Sequence, residues 1–229
     1  KIKRNLENHL KGKTPFYSCE YRLKLKNGRY AWVLCRGKAL WDTNGKAVRM
    51  AGSLTDITER KKTEKKLERL AYYDPLTGAV LRKLFMDKLK HAINNAEKKG
   101  LKVAVLFLDL DRFKTINDLY GHHIGDRYLK RIAGMIKSNI RKTDVLCRIG
   151  GDMFALLLPG LDDVRFIDEI AHRIIGLFNQ PVCVSGYKIY SKISRGIAVY
   201  PNNGGNGSTL LKKAGFALHK AKDNGIGRV

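Results

Sequence analysis

The run Val103-Ala104-Val105-Leu106-Phe107-Leu108 is apolar throughout and is followed at once by Asp109 and Asp111. Six apolar residues without polar alternation do not suit a strand with one face in water; the run predicts a strand covered on both faces. The surrounding sequence supplies the cover. A helical pattern spans about 82–99 before the run and about 122–140 after it. A β-hairpin is expected over 145–158, a helix over about 164–179, strands near 182–190 and 194–200, and a last helix over 208–223. Helices alternating with strands at this density predict an α/β sandwich of the α+β kind, with the hairpin making its sheet mixed or antiparallel.

The segment before residue 60 reads differently. Residues 17–25, 30–40 and 47–56 predict three strands of a meander, joined by tight turns at Asn27-Gly28 and Asn44-Gly45. One short helix, about 2–10, precedes them. Such a meander leaves a sheet edge unpaired and a face uncovered, so the sequence is expected to begin partway through a domain. Residues 60–73 are rich in Lys and Glu with a narrow apolar stripe at Ile57, Leu67, Leu70 and Ala71. They read as a helical linker, either a short dimeric coiled coil or a solvated helix that pairs with nothing.

Composition narrows the function. Among 229 residues, 45 are Lys or Arg and 21 are Asp or Glu, a formal net charge of +24. The 44% hydrophobic content supports packed cores and excludes a disordered basic tail. No run of about eighteen apolar residues provides a membrane span, and no apolar stretch follows the basic N-terminus as in a signal peptide. Cys19, Cys35, Cys147 and Cys183 form no CxxC pair and read as reduced thiols in an intracellular protein. The basic excess implies an anionic partner: nucleic acid, a membrane surface or a nucleotide. It divides evenly about Tyr73 and so locates no site. The pairs Lys61-Lys62 and Lys65-Lys66 read as a solvated helix face rather than a nucleic-acid site.

The chemistry concentrates where the apolar strand ends. A strand buried on both faces lifts its terminal carboxylates, Asp109 and Asp111, to the rim of the sheet. Asp152 lies in the turn Gly150-Gly151-Asp152, where adjacent glycines permit a hairpin tight enough for a phosphate to approach. If the hairpin lies beside the strand, Asp109 and Asp152 can share a divalent ion. Oxygen donors without His or Cys favour Mg²⁺ or Mn²⁺. The plainer alternative is that Asp152 caps a turn. His122 and His123 point about 100° apart on a helix and do not read as a metal pair; His122 is assigned to support of a loop and His123 to solvent.

Gly150-Gly151-Asp152-Met153-Phe154 resembles the GGDEF signature of diguanylate cyclases. Asp74-Pro75-Leu76-Thr77-Gly78 is similar to that family's DxLTG opening. Asp109-Leu110-Asp111-Arg112-Phe113-Lys114, Asn117-Asp118, Gly121-His122 and Gly125-Asp126 match its DxDxFKxxND..GH..GD block, and Ser194-Arg195-Gly196-Ile197-Ala198 with Ala221-Lys222 match its C-terminal stretch. Five dispersed matches in order are far more specific than any one motif. The strands closing on Asp56-Ile57-Thr58-Glu59-Arg60 resemble the C-terminal part of a PAS/PAC sensor domain. The organisation read is therefore 1–59 partial PAS/PAC, 60–73 helical linker and 74–229 GGDEF domain.

That resemblance implies a palm-like, ferredoxin-type βααβαβ sandwich and the condensation of two GTP into cyclic di-GMP, with Mg²⁺ or Mn²⁺ as cofactor. By position, Asp109 and Asp152 would be catalytic and would hold metal with the Leu110 carbonyl. Phe113, Lys114, Asn117, Asp126, Gly150, Gly151 and Lys222 would bind GTP, Asn117 and Asp126 at the guanine edge and Lys114 and Lys222 at the phosphates. Arg141 and Asp144, an RxxD ending five residues before the signature, would form the inhibitory site for cyclic di-GMP. Arg165 and Asp168 repeat the pattern without that spacing. The resemblance further implies a homodimer through the PAS part and linker helix, a cytoplasmic location in a bacterium and no specific nucleic-acid partner. Many members of the family continue into an EAL phosphodiesterase domain after the matched segment.

Departures bear on activity. Met153 replaces the second carboxylate of the signature, and a thioether is a poor ligand for Mg²⁺. Ile226, between Gly225 and Gly227, replaces a phosphate-binding arginine, and Arg228 stands nearby. Leu81 replaces an Asn, and Gly215 and His219 replace an Asp and a Tyr. A weak or inactive cyclase that still binds GTP or cyclic di-GMP is expected, with an active cyclase as the alternative.

Overall fold

The computed structural model of the protein describes residues 2–223, so Gly225, Ile226, Gly227 and Arg228 lie outside the described residues. The chain divides into two compact units, Lys1–Arg69 and Leu70–Val229.

In the first unit, helix α1 (Ile2–Leu10) precedes strands β1 (Tyr17–Lys24), β2 (Tyr30–Trp41) and β3 (Ala47–Asp56), an antiparallel meander in the order β1-β2-β3. A buried histidine ties the helix to the sheet. His9 Nε2 accepts the Ala39 backbone N–H at 2.9 Å, which leaves Nδ1 to donate to the Thr14 carbonyl at 2.9 Å. Trp41 Nε1 donates to the Leu10 carbonyl. Tyr17, Cys19, Ala31, Val33 and Ala39 are buried, whereas β3 is exposed along nearly its whole length, with Val48 and Leu54 in solvent. The uncovered sheet expected from the sequence is present among the described residues. Helix α2 (Thr58–Tyr72) follows, begun by the Asp56 carboxylate accepting the Thr58 N–H. It buries no residue. Lys61 pairs with Glu20 and Lys62 with Glu59, so these lysines are partly neutralised by carboxylates.

The second unit holds helix α3 (Arg82–Lys99), strand β4 (Lys102–Leu110), helices α4 (Phe113–Tyr120) and α5 (His122–Ser138), and the hairpin β5 (Val145–Gly150) and β6 (Met153–Leu161). Helix α6 (Arg165–Gly176), the short hairpin β7 (Val182–Val184) and β8 (Tyr187–Ile189), strand β9 (Ile193–Tyr200) and helix α7 (Gly207–Asp223) complete it. The main sheet has the order β5-β6-β4-β9 with every neighbour antiparallel. A parallel bridge from Val80 to Cys147 extends it at the β5 edge. β7 and β8 pair with each other in a separate sheet.

The apolar run occupies a central strand, and its two faces feed two cores. Leu106, Leu108 and Leu110 pack with Ile116 of α4, Tyr128, Ile132 and Ile136 of α5, and Ile170 and Ile174 of α6. Val103, Val105 and Phe107 pack with Phe85, Leu89 and Ile93 of α3 and Leu210, Ala214 and Leu218 of α7. Burying each large side chain contributes roughly 1.5–3 kcal/mol, so covering both faces decides where β4 lies. α4 is a helix that the sequence pattern does not predict. α4 has only eight residues, too short for its periodicity to stand out.

Candidate functional site

The end of β4 brings Asp109 opposite Met153 on β6 and Ser194 on β9. The hairpin therefore lies beside the strand, as the sequence reading required. Asp109 is 6% exposed, and Lys222 Nζ on α7 lies 2.5 Å from its Oδ1. Asp152, in the turn between β5 and β6, has its carboxyl pushed above the ordinary value by burial and then by the charge of Asp109, with Lys222 and Arg148 pulling it back. Two carboxylates that repel each other across a sheet rim fit a divalent cation. Asp109, Asp152 and the Leu110 carbonyl would be its protein ligands. Among the described residues, no group of three or more His, Cys, Asp or Glu side chains converges as a metal site.

The position of the Asp152 turn is fixed by an arginine. Arg148 donates from Nε and Nη2 to the Gly151 carbonyl at 2.9 and 2.8 Å, and from Nη1 to both oxygens of Asp74 at 3.2 Å. Asp74 in turn accepts the Thr77 N–H at 2.7 Å and its hydroxyl at 2.6 Å. Lys137 closes the same loop from α5, donating to the Gly78 carbonyl at 2.6 Å. Sequence reasoning missed Arg148 and Lys137, because a lone cation in a basic chain carries no signal until its partners are seen. Arg148→Ala is expected to lower stability by about 2 kcal/mol, because it strands a largely buried carboxylate; chemical denaturation measures this.

Burial pushes the Asp74 carboxyl upward, but the Thr77 hydrogen bonds and the Arg148 charge outweigh it and hold the group below its ordinary value. Its stabilisation is therefore complete above the unfolded-state pKa of about 3.9 and is lost as pH falls through the lower folded value. The thermal midpoint is expected to drop on acidification below about pH 4, and to drop less in Asp74→Asn.

Arg112 adopts the left-handed conformation (φ 57°) and turns the chain from β4 into α4. Phe113 and Lys114 then open the helix, with Lys114 exposed. Asn117 lies directly against Gly125: a Cβ there would fall 1.9 Å from Asn117 Oδ1. α4 and α5 thus meet at the residues read as guanine contacts, and Asp126 is exposed beside them. His122 is exposed, like His123.

Arg141 and Asp144 close a turn of their own. Asp144 Oδ2 accepts the Arg141 N–H at 2.8 Å, and the Arg141 guanidinium lies 5.5 Å from the Phe166 ring centroid. Burial raises the Asp144 carboxyl, with the Arg141 hydrogen bond and charge opposing it. A cleft of about 360 Å³ is lined by both residues with Lys137 and Lys88. The second RxxD has no such form: Arg165 pairs with Asp163 at 2.7 Å.

Residues 71–228 match the family described as "Diguanylate cyclase, GGDEF domain". The chain belongs to this family. Residues 1–54 match the PAS fold. The GGDEF domain is similar to that of the bifunctional diguanylate cyclase/cyclic di-GMP phosphodiesterase MucR of Pseudomonas aeruginosa, 37% identical over 73% of this chain and 24% of that protein. The cyclic di-GMP phosphodiesterase PdeR of Escherichia coli is 35% identical over 86% of this chain and 31% of its own length. Among solved structures, the GGDEF domain of TpbB (YfiN) from Pseudomonas aeruginosa superposes with a TM-score of 0.67 at 37% identity, covering 68% of this chain and 91% of that one. The coiled coil and GGDEF domain of DgcB from Caulobacter crescentus, solved with cyclic di-GMP, gives 0.66 at 26% identity over 76% and 92%. The chain spans about a quarter to a third of the length of the first curated relatives. No described helix is long and apolar enough to cross a membrane.

Among the described residues of the GGDEF domain, two of the departures, Met153 and Gly215, lie on the α3 and α7 side of the sheet. Met153 packs against the cluster formed by α3 and α7. Gly215 on α7 leaves space beside Phe107, and His219 turns to Asp223 at 3.0 Å. Leu81 stands at the N-cap of α3, where it provides no side-chain hydrogen bond and an Asn would.

Proposed function

We propose that this chain is a guanine-nucleotide-binding module of cyclic di-GMP signalling, coupled to a PAS sensor and impaired as a cyclase. The observation that carries it is Met153: it stands opposite Asp109 and packs into an apolar cluster, where the family places a carboxylate. GTP is assigned to the β4–α4 turn and the signature turn, with Phe113, Lys114, Gly150, Gly151 and Lys222 at the phosphates and Asn117 and Asp126 at the base. Mg²⁺ or Mn²⁺, when bound, would supply charge neutralisation at the phosphate. Lys222 would then exchange Asp109 for phosphate, a short move for an exposed ammonium.

Cyclic di-GMP is assigned to Arg141 and Asp144, since a guanidinium fork matches phosphate and the guanine edge together. Calorimetry is expected to show binding of GTP, cyclic di-GMP or both; binding of neither rejects the proposal. Arg141→Ala is expected to weaken cyclic di-GMP by about tenfold or more and to leave the melting temperature and GTP affinity unchanged, because the side chain is exposed.

An active cyclase is the second reading, favoured by the electrostatic coupling of Asp109 and Asp152. Product formed from GTP and Mg²⁺, and abolished by Asp152→Ala, would establish it. Dimerisation is assigned to α2, whose Leu67 and Leu70 are exposed. A flanking EAL phosphodiesterase domain and a cytoplasmic setting complete the proposal.

A further inference from the structure

A second cleft lies between α4 and the β8–β9 connection, and none of the assigned nucleotide contacts lines it. Its volume is about 610 Å³, within the range of small-molecule sites. Buried Ile116 contributes to an apolar floor, while Leu119 and Tyr190 at the rim are 70% and 78% exposed. The Tyr190 ring has no aromatic neighbour among the described residues, unlike Tyr120, whose ring meets Tyr187 at 5.2 Å.

Three cations line the cleft, Arg112, Lys188 and Lys192, and none forms a salt bridge among the described residues. Asp111 is the sole lining carboxylate; its Oδ1 accepts from the Ser194 hydroxyl at 2.7 Å, while its Oδ2 is buried without a hydrogen-bond partner among the described residues. The lining thus carries a net positive charge, three cations against one carboxylate, beside apolar and aromatic surface left in water. Arg112, Lys188 and Lys192 are exposed at the rim, within reach of an incoming anion. A ligand with a flat apolar body and an acid group satisfies both features together.

We propose that this cleft binds a small planar aromatic anion, its ring covering Leu119 and Tyr190 and its acid group meeting Lys188, Lys192 and Arg112. Such occupancy is separate from nucleotide binding, because Asn117 is directed to Gly125 of α5 whereas Thr115 and Leu119 line the cleft.

The test is calorimetric titration of the whole 229-residue chain with 1-naphthalenesulfonate and with its neutral counterpart 1-naphthalenemethanol. The sulfonate is expected to bind about tenfold more tightly than the alcohol, and Lys188→Glu with Lys192→Glu to weaken it by about tenfold or more. Tyr190→Ser removes a side chain 78% exposed and so leaves the core intact; it is expected to weaken the sulfonate several-fold. Lys24→Glu with Lys26→Glu, beside exposed apolar residues of the first unit, is expected to change nothing. No binding of the sulfonate, equal binding of sulfonate and alcohol, or an equal loss in the two double variants would overturn the proposal.

Discussion

Replacing Met153 by Glu is expected to raise the rate at which the protein converts GTP to cyclic di-GMP by about a thousandfold, close to 4 kcal/mol of transition-state stabilisation. The side chain at 153 stands opposite Asp109 across the β4–β6 ladder. A carboxylate there would add an oxygen donor to Asp109 and Asp152, in a site where burial and mutual repulsion already favour a cation. The cost is modest, since Met153 is only partly buried. Product formation in Mg²⁺, followed by chromatography, measures the effect. A Met153→Glu protein with an unchanged rate would place the defect elsewhere, at Leu81, Gly215, His219 or Ile226.

Gly196→Ala is expected to destabilise the second unit by about 3 kcal/mol, lowering its melting temperature by roughly 6–12 °C. A Cβ at Gly196 would lie 2.2 Å from both the Ala214 carbonyl oxygen and the Leu218 nitrogen. These are backbone atoms of α7, so relief requires the whole helix to move off β9. That movement would also carry Lys222 away from Asp109, and nucleotide affinity is expected to fall with stability. Gly134→Ala on α5 gives the opposite sign, a gain of about 0.5–1 kcal/mol, because nothing lies within 4 Å of its Cβ. Differential scanning calorimetry of the two variants makes the comparison.

Much of the scaffold was legible because its signals are local. The six-residue apolar run, the Asn-Gly turns and the periodicity of α3 each act within one element, so β4, the meander and α3 fall where their residues predict. α4 was not legible. Eight residues give barely two turns, and what makes them helical is tertiary: Ile116 enters the core beneath and Asn117 abuts Gly125.

The separation of β7 and β8 from the main sheet was likewise undecided, since strands of three residues carry no register of their own.

The carboxylates Asp109 and Asp152 and the RxxD at Arg141 could be named from motif order, and the sequence alone determined which residue types were available. Met153 in place of a carboxylate is equally a fact of sequence. Only the tertiary structure decided what those residues face. It placed Lys222 on Asp109, tied Arg148 to both Asp74 and Gly151, and laid Arg141 over Phe166 while the other RxxD arginine pairs with Asp163. A cation's partner is set by long-range packing of strands and helices far apart in the chain, and no local pattern in a chain of net charge +24 distinguishes those few lysines and arginines from the rest.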